Sequence, residues 1–397
     1  MKLKQLMIAA TLIALVFSSC KKDEDDSTTT PPTNNGNTVV TTNITASTTW
    51  TSDKVYQLAG RITVTDGATL TIEPGTVIKG EAGTGANATA LLIARGGKLM
   101  AIGTAALPIV FTSVADEITN TDLVAGNYGS PNLDSDVDGL WGGVIILGKA
   151  PISASNAGSD VTQVQIEGIP TSDANGLYGG TDATDNSGSI TYVSIRHGGA
   201  NIGSGNEING LTLGGVGSGT VIENIEIVSN QDDGIEWFGG TVNVTNVVSW
   251  NCNDDALDTD QAWSGTLDNF VVITPAGHCF ELDGPEGTFS ATHTIMNGTV
   301  IAGNGTKNAE DLINVDANSM VNLTNIHFKG IQTGQMVNRV TAAGVAFSGI
   351  TLDVLAADLA SHVNGAIPAG ITTGGSSSAQ ADLTKFAWTW AAEAGKI

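Results

Sequence analysis

Three stretches of the chain superimpose on one another: Asn224-Ile225-Glu226-Ile227 through Gln231-Asp232-Asp233-Gly234-Ile235-Glu236, Asn246-Val247-Val248 through Asn253-Asp254-Asp255-Ala256-Leu257-Asp258, and Asn269-Phe270-Val271-Val272 through His278-Cys279-Phe280-Glu281. The period is roughly 22 to 23 residues, and the units carry β-branched runs and turn residues rather than a helical pattern, so each reads as one coil of a parallel β-helix. Such a repeat stacks like side chains at the spacing of neighbouring strands, about 4.7–4.9 Å. Acidic residues that recur once per coil must then form ladders along one face.

In each copy an acid follows the asparagine at a constant distance: Glu236, Asp258 and Glu281. If Asn297 and Asn325 open the next coils, Ile313 aligns with Phe280 and Asn314 enters the acid column. Alternation along a strand turns Ile235, Leu257, Phe280 and Ile313 inward, and Glu236, Asp258, Glu281 and Asn314 outward. A second outward column reads Phe238, Asp260, Asp283, Asp316. A third, at the preceding turn, reads Asp233, Asp255, His278, Asp311. The asparagine column has a structural explanation, because stacked amides at a turn hydrogen-bond from coil to coil.

Carboxylates stacked at strand spacing repel one another, so a bound divalent cation, shared protons or solvation on an open face must offset the cost. Oxygen ligands without a His/Cys cluster favour calcium over zinc, which makes Glu236, Asp258, Glu281, Asp260 and Asp283 candidate ligands. Asp134-Ser135-Asp136-Val137-Asp138-Gly139 looks like the first half of a calcium loop, with Asp134, Asp136 and Asp138 as its acids. It departs from that pattern at Ile145, where a bidentate Glu is expected, and a polar turn explains it equally in kind. A solvated acidic stripe that blocks edge-to-edge association accounts for the columns without any ligand.

The beginning of the chain carries a positive Met1-Lys2-Leu3-Lys4, an apolar stretch from Leu6 to Phe17, and the small residues Ser18-Ser19 before Cys20. The apolar stretch is shorter than the ~20 residues a bilayer crossing needs, so 1–19 reads as a signal peptide. Cys20 resembles the acylation site of bacterial lipoproteins, which implies a palmitate-type lipid anchor. Lys21-Lys22-Asp23-Glu24-Asp25-Asp26 resembles the charged tag that sends some Gram-negative lipoproteins to the outer leaflet of the outer membrane. The rest of 20–38 is a Thr/Pro-rich tether that cannot bury a core. Residues 39–345 are the expected β-helix, and 346–397 the expected cap.

The formal charge is −24, and loss of Lys2 and Lys4 with the signal leaves 14 basic against 40 acidic side chains. So anionic a surface repels phosphate backbones, which excludes nucleic acid as a partner, and suits divalent cations and extracellular solubility. With Cys20 acylated, Cys252 and Cys279 either pair or remain as buried thiols.

Short alternating strands broken by glycine run through Arg61–Val64, Ala68–Ile78, Leu91–Ala94 and Lys98–Gly103. Leu70 to Ile78, with Pro108-Ile109-Val110-Phe111-Thr112-Ser113, Trp141-Gly142-Gly143-Val144-Ile145-Ile146-Leu147 and Ser189–Ile195, resembles the coils of right-handed β-helix proteins in the pectate-lyase-like superfamily, over about Val55 to Lys329. The resemblance implies an all-β right-handed parallel solenoid, not an activity. Loops at 116–139 and 170–188 are where such a scaffold carries binding sites. Leu352–Val363 and Leu383–Ala394 read as two short amphipathic helices capping the last coil, the second carrying Phe386, Trp388 and Trp390. Trp237 points inward beside Ile235, while Trp250 and Trp263 sit at turns and pack on the stem or offer stacking faces to a sugar.

The Asp-Asp pairs and Gly277-His278 also resemble, in residue type and coil spacing, the motifs of β-helix polygalacturonases, where carboxylates flanking the glycosidic bond act as acid and base. That resemblance implies Asp233, Asp255, Asp258 and His278 as catalytic residues. No Arg-Ile-Lys-type motif follows, since Lys307 and Lys329 are scattered. A lyase needs a base near calcium, and Arg196-His197 lies on an earlier coil. The leading expectation is thus a surface-anchored lipoprotein binding a polysaccharide or surface protein through an acidic, calcium-dependent face. A glycan-cleaving hydrolase or lyase is the alternative, and a structural envelope protein the third reading.

Overall fold

The computed structural model describes residues 36–202, 208–375 and 380–397. The expected signal peptide, Cys20 and most of the tether lie outside them. No helix among the described residues is long and apolar enough to cross a membrane.

Parallel strands stack into two long sheets, as the repeat requires. One has eight strands, from Ile62–Val64 through Leu91–Ile93, Val144–Leu147, Leu211–Gly214, Ile235–Phe238, Leu257–Asp260 and Glu281–Leu282 to Asn314–Val315. The other has fifteen and runs from Asn37–Val40 to Ile371–Thr373. This is the expected all-β parallel β-helix. In the first coils the larger sheet receives two separate strands per coil, Thr69–Ile72 and Val77–Gly80, then Lys98–Ile102 and Ile109–Ser113. They merge at the long strand Gly188–Arg196, whose first half pairs with Lys98–Ile102 and whose second half pairs with Ile109–Ser113.

The merged strands bend at one residue per coil, and that residue is the asparagine of the repeat. Tyr192 and then Asn224, Asn246, Asn269, Asn297 and Asn325 all have φ between 52° and 60°. Asparagine tolerates this left-handed region better than most side chains, and the following coil uses Gly349 there at φ 67°. The amides also form the expected ladder: Asn246 Nδ2 donates to Asn224 Oδ1 (3.1 Å), Asn269 Nδ2 to Asn246 Oδ1 (2.6 Å), and Asn325 Nδ2 to Asn297 Oδ1 (2.6 Å). One rung is missing, because Asn297 Nδ2 turns instead to Asp268 Oδ1 at 2.6 Å.

Between the sheets lies a continuous apolar core containing Leu211, Leu213, Ile235, Trp237, Leu257, Phe280, Leu282, Ile313 and Val315. Trp237 stacks on Trp263 (centroids 4.7 Å apart), and Trp263 lies 5.1 Å from the His293 ring. Trp263 is therefore core, and burial lowers the His293 imidazole to about 3. Cys252 and Cys279 are both free and buried, which resolves the pairing left open by the sequence.

Two features of the chain's second half differ from expectation. Parallel pairing continues past residue 345, through Gly344–Leu352 and Ile371–Thr373, so the first expected helix, Leu352–Val363, is instead a strand end followed by a 3-10 turn at Leu359–Ser361. The apolar spacing there was shared by two structures, and an available strand edge selects the extended one. The second helical segment exists, split into Leu383–Phe386 and Trp390–Glu393 by Thr389, whose side chain accepts from Ala392 N at 3.1 Å.

That terminal segment lies along the flank of the larger sheet. Ala381 N donates to Thr299 Oγ1 (2.9 Å), Asp382 N to Asn269 Oδ1 (2.7 Å), and Ala391 N to the buried Glu226 Oε1 (2.9 Å). Glu393 Oε2 accepts from Tyr128 N and Gly129 N at 2.6 and 2.7 Å. Trp390 packs edge-on against Trp250 (5.6 Å) and under the Arg196 guanidinium (5.1 Å), within an apolar cluster that includes Val228, Val248, Val271 and Phe386. Trp250 therefore faces the C-terminal segment, and offers no platform to a sugar.

Candidate functional site: an acidic cleft on the smaller sheet

The outer column of the smaller sheet changes character along the solenoid. The register pairs Thr63 with Leu92, Leu92 with Ile145, Ile145 with Thr212 and Thr212 with Glu236, then Glu236 with Asp258, Asp258 with Glu281 and Glu281 with Asn314. In the first coils this face is apolar and covered: Leu92, Ile145 and Leu147 pack with Ile152, Ile166, Tyr178 and Phe238 under the loops of residues 150–180. From Glu236 onward it is acidic. The second outward column also stands, with Phe238 opposite Asp260.

The loops do more than line the apolar part. Glu236 is only 7% exposed, and Asn209 Nδ2 donates a short hydrogen bond to its Oε2. The expected outward direction from the stem is correct, but this end of the column is roofed. Asp258 and Glu281 are half-buried.

The turn column has its own structural task. Asp233 Oδ1 accepts from Asp255 N at 2.9 Å, Asp255 Oδ1 accepts a short bond from His278 N, and Asp311 Oδ1 accepts from Met336 N at 2.6 Å. Each carboxylate thus takes a backbone N–H from the next coil, at a turn that would otherwise leave it unpaired.

Two groups of candidate ligand atoms form where the columns meet. Asp233, Glu236 and Asp258 converge, and so do Asp255, His278 and Glu281, with the atoms of each group within 4.8 Å of one another. A third, more exposed group joins Asp232, Asp233 and Asp254 at the turn. Every residue expected to be catalytic, Asp233, Asp255, Asp258 and His278, is therefore in one neighbourhood.

The two inner groups differ in charge balance. Burial, then Asp258 and Asp232, push Asp233 well above the usual carboxylate range; burial, then Asp258 and Asp233, do the same to Glu236. Burial, Glu281 and Asp260 raise Asp258 likewise. The charges acting most strongly on this trio are all carboxylates, and Asp258 Oδ1 is buried with no hydrogen-bond partner among the described residues. Two ionised carboxylates with oxygens 4.8 Å apart repel by about 3.5 kcal/mol at an effective dielectric near 20. The trio must therefore hold protons or a cation.

In the second group His278 Nδ1 lies 2.9 Å from Asp255 Oδ1 and 4.0 Å from Glu281 Oε2. Burial alone would lower the imidazole, but Asp255 and Glu281 outweigh it and raise His278 to about 9. Burial would raise Asp255, yet His278 and a hydrogen bond from Glu281 hold it below its ordinary value. That same bond to Asp255, with burial added, raises Glu281 to about 8. An ionised Asp255 thus sits between a protonated imidazole and a protonated carboxyl.

Farther along, burial and Glu286 raise Asp260 to about 8, and burial and Asp316 raise Asp283 to about 6. The cleft ends at Arg339, whose Nη1 lies 3.2 Å from Asp316 Oδ1 and donates to Val315 O at 2.6 Å. Sequence reasoning missed Arg339 and Glu286, which share no repeat position with the acids, and Asn209, which the register sets opposite Asp233 in the turn column, one coil before the three copies that align in the sequence. Asp134, Asp136 and Asp138 do not join any of these groups. Asp138 turns to Asn253, whose Nδ2 donates to its Oδ2 at 2.6 Å, and the loop is held by Asn251 Nδ2 on Ser135 O at 2.7 Å. A turn fastened to the stem explains that segment, and among the described residues no ligand set gathers around its three acids.

No curated protein and no solved structure matches the chain. A family model does, over residues 42–390, which takes in nearly every stacked coil and the whole cleft. The chain belongs to the pectate-lyase-like β-helix domain family.

Proposed function

We propose that this protein is a lipid-anchored outer-membrane surface protein whose cleft binds a calcium ion and, through it, an oxygen-rich polysaccharide or surface component. The observation that carries the reading is the convergence of the buried Asp233 and Glu236 with the half-buried Asp258, without a compensating base. Hard oxygen ligands of this kind suit calcium, and a half-open cleft leaves coordination positions for hydroxyl or carboxylate groups of a glycan. Arg339 at the far end offers a planar donor set for a second anionic group. The anchor rests on Cys20 and the stretch before it. Calorimetric titration with calcium tests the cation site: wild type should bind with release of protons, because the carboxyls hold them beforehand, and Asp258→Asn should not bind. Equal binding by the two would sink the assignment.

Asp255, His278 and Glu281 favour a second reading, glycan cleavage. Glu281 at about 8 is an acid at neutral pH, and the adjacent Asp255 is an ionised base or nucleophile. In this reading His278 holds Asp255 in its charged form, and Asp258 and Asp233 shape the field around the bond. A reducing-end assay across neutral and acidic polysaccharides, with and without calcium, decides it. Turnover lost in both Glu281→Gln and Asp255→Asn supports cleavage, while no turnover on any glycan leaves binding as the function.

A further inference from the structure

Outside the cleft, three side chains from distant parts of the chain meet on the turn side of the solenoid. Lys307 comes from the loop inserted after the strand His293–Ile301. Its Nζ lies 2.7 Å from Asn251 O and 3.1 Å from Asn253 Oδ1. On its other side the Asn253 amide contacts Asp138, with Nδ2 2.6 Å from Oδ2. An amine, a carboxamide and a carboxyl are thus in succession, the amine beside the carbonyl oxygen and the carboxyl against the nitrogen.

The loop holds Lys307 in place. Gly303 bridges to Asn308, and Asn304 Oδ1 accepts from the backbone N–H groups of Thr306 and Lys307 at 2.8 and 2.9 Å. Asp138 is fixed from its own side by the turn fastened to Ser229 and Asn251. Such prepositioning is what turns a slow bimolecular aminolysis into an intramolecular one.

We infer that Lys307 and Asn253 form an intramolecular isopeptide bond, with Asp138 as the proton carrier. The neutral Lys307 amine attacks Asn253 Cγ, and the tetrahedral centre collapses with cleavage of the Cγ–Nδ2 bond. The neutral Asp138 carboxyl gives its proton to Nδ2, which leaves as ammonia, and the carboxylate so formed takes the proton released by the attacking nitrogen. One amide replaces another, so no oxidant, reductant or co-reactant is required. Burial lowers the Lys307 ammonium and raises the Asp138 carboxyl, and both shifts favour the neutral amine and neutral acid that the step needs. Asn253 is exposed, which gives ammonia a path out. The bond would close a loop across 54 residues and tie the inserted loop to the stem.

Peptide mapping of the purified full chain by tandem mass spectrometry tests this. The expected result is a branched peptide joining Lys307 to Asn253, together with an intact mass lower by one ammonia. A succinimide at Asn253 also loses ammonia, so the branched peptide is the deciding species. Linear peptides carrying free Lys307 and an unlinked residue 253, recovered from folded wild type, would overturn the inference. Lys307→Arg should fold, by circular dichroism, and give only linear peptides. Asp138→Asn should slow the appearance of the branch at least tenfold in freshly refolded protein, and an unchanged rate would remove Asp138 from the mechanism.

Discussion

Replacing Asp258 by asparagine keeps its shape and removes one charge from the centre of the cleft, where Glu281, Asp260, Asp255 and Asp283 all act on it. At pH 8 without calcium the wild-type trio avoids full repulsion only by retaining protons. Complete ionisation would set Asp258 against Asp233 and Glu236 at a cost of about 7 kcal/mol, taking about 3.5 for each pair. Protonation already relieves most of this, so Asp258→Asn should stabilise the calcium-free protein by about 1–3 kcal/mol, or roughly 2–6 °C in melting temperature for a body of this size. Calcium reverses the order. At about 100 times its dissociation constant it stabilises the wild type by about 2.7 kcal/mol through mass action, and the variant, lacking the central ligand, should gain almost nothing. Differential scanning calorimetry in chelator and in calcium should therefore give melting curves that change places. Parallel calcium gains in both proteins, or a variant less stable than wild type in chelator, would refute the reasoning, because the first means that Asp258 is not a ligand and the second that it is not a repelled charge.

The pH dependence has a definite sign. Glu281 and Asp260 lie near 8 in the fold against 4.5 and 3.8 ordinarily, and His278 near 9 against 6.5. The stability these protons provide is complete below the unfolded values and disappears as pH rises through 8 and 9, so the melting temperature in chelator should fall steadily from about pH 5 to 9; a flat or rising profile would contradict the raised carboxyls. In the ladder, Asn246→Gly keeps the left-handed backbone and loses two amide bonds, costing about 1–2 kcal/mol, while Asn246→Ala adds about 1–2 kcal/mol of backbone strain; equal midpoints for the two in urea would show that the bend is unimportant. Cys20→Ala should leave the mature body in the soluble fraction after cell lysis, and persistence in salt-washed membranes would show an attachment other than acylation.

The column register was legible because the asparagine fixes it twice, by its tolerance of the left-handed bend and by its amide pairing. Once Asn224, Asn246 and Asn269 are aligned, the neighbours of Asp258 follow by counting, and even the insertions before Asn297 and Asn325 do not disturb them. What counting could not give is burial. Glu236 is outward in the periodic sense and yet covered, because the loops of residues 150–180 belong to no repeat and their return over the sheet is a tertiary event, while Asn209 stands in the turn column one coil before the copies that align. Arg339 was invisible for a similar reason, since a lone basic residue two coils away has no spacing that marks it. The Asp134–Asp138 segment was ambiguous from the sequence because alternating acids before glycine serve a fastened turn as well as an ion. The last segment misled in place rather than in kind, for an amphipathic pattern reports that one face is covered and not which surface covers it.

The C-terminal segment has a consequence for how this protein is made. Stacked coils depend mainly on their nearest neighbours and can order progressively as the chain emerges. Here the residues that shield Val228, Val248, Trp250 and Val271 arrive only after the coils they cover, and they stitch Thr299, Asn269, Glu226 and Tyr128 in one stroke. Until then the flank of several finished coils stays greasy and open. A chain that stopped before this segment would form the coils and leave that side adhesive, so the closing stitch doubles as a mark, readable by proteases and chaperones, that the flank is shut.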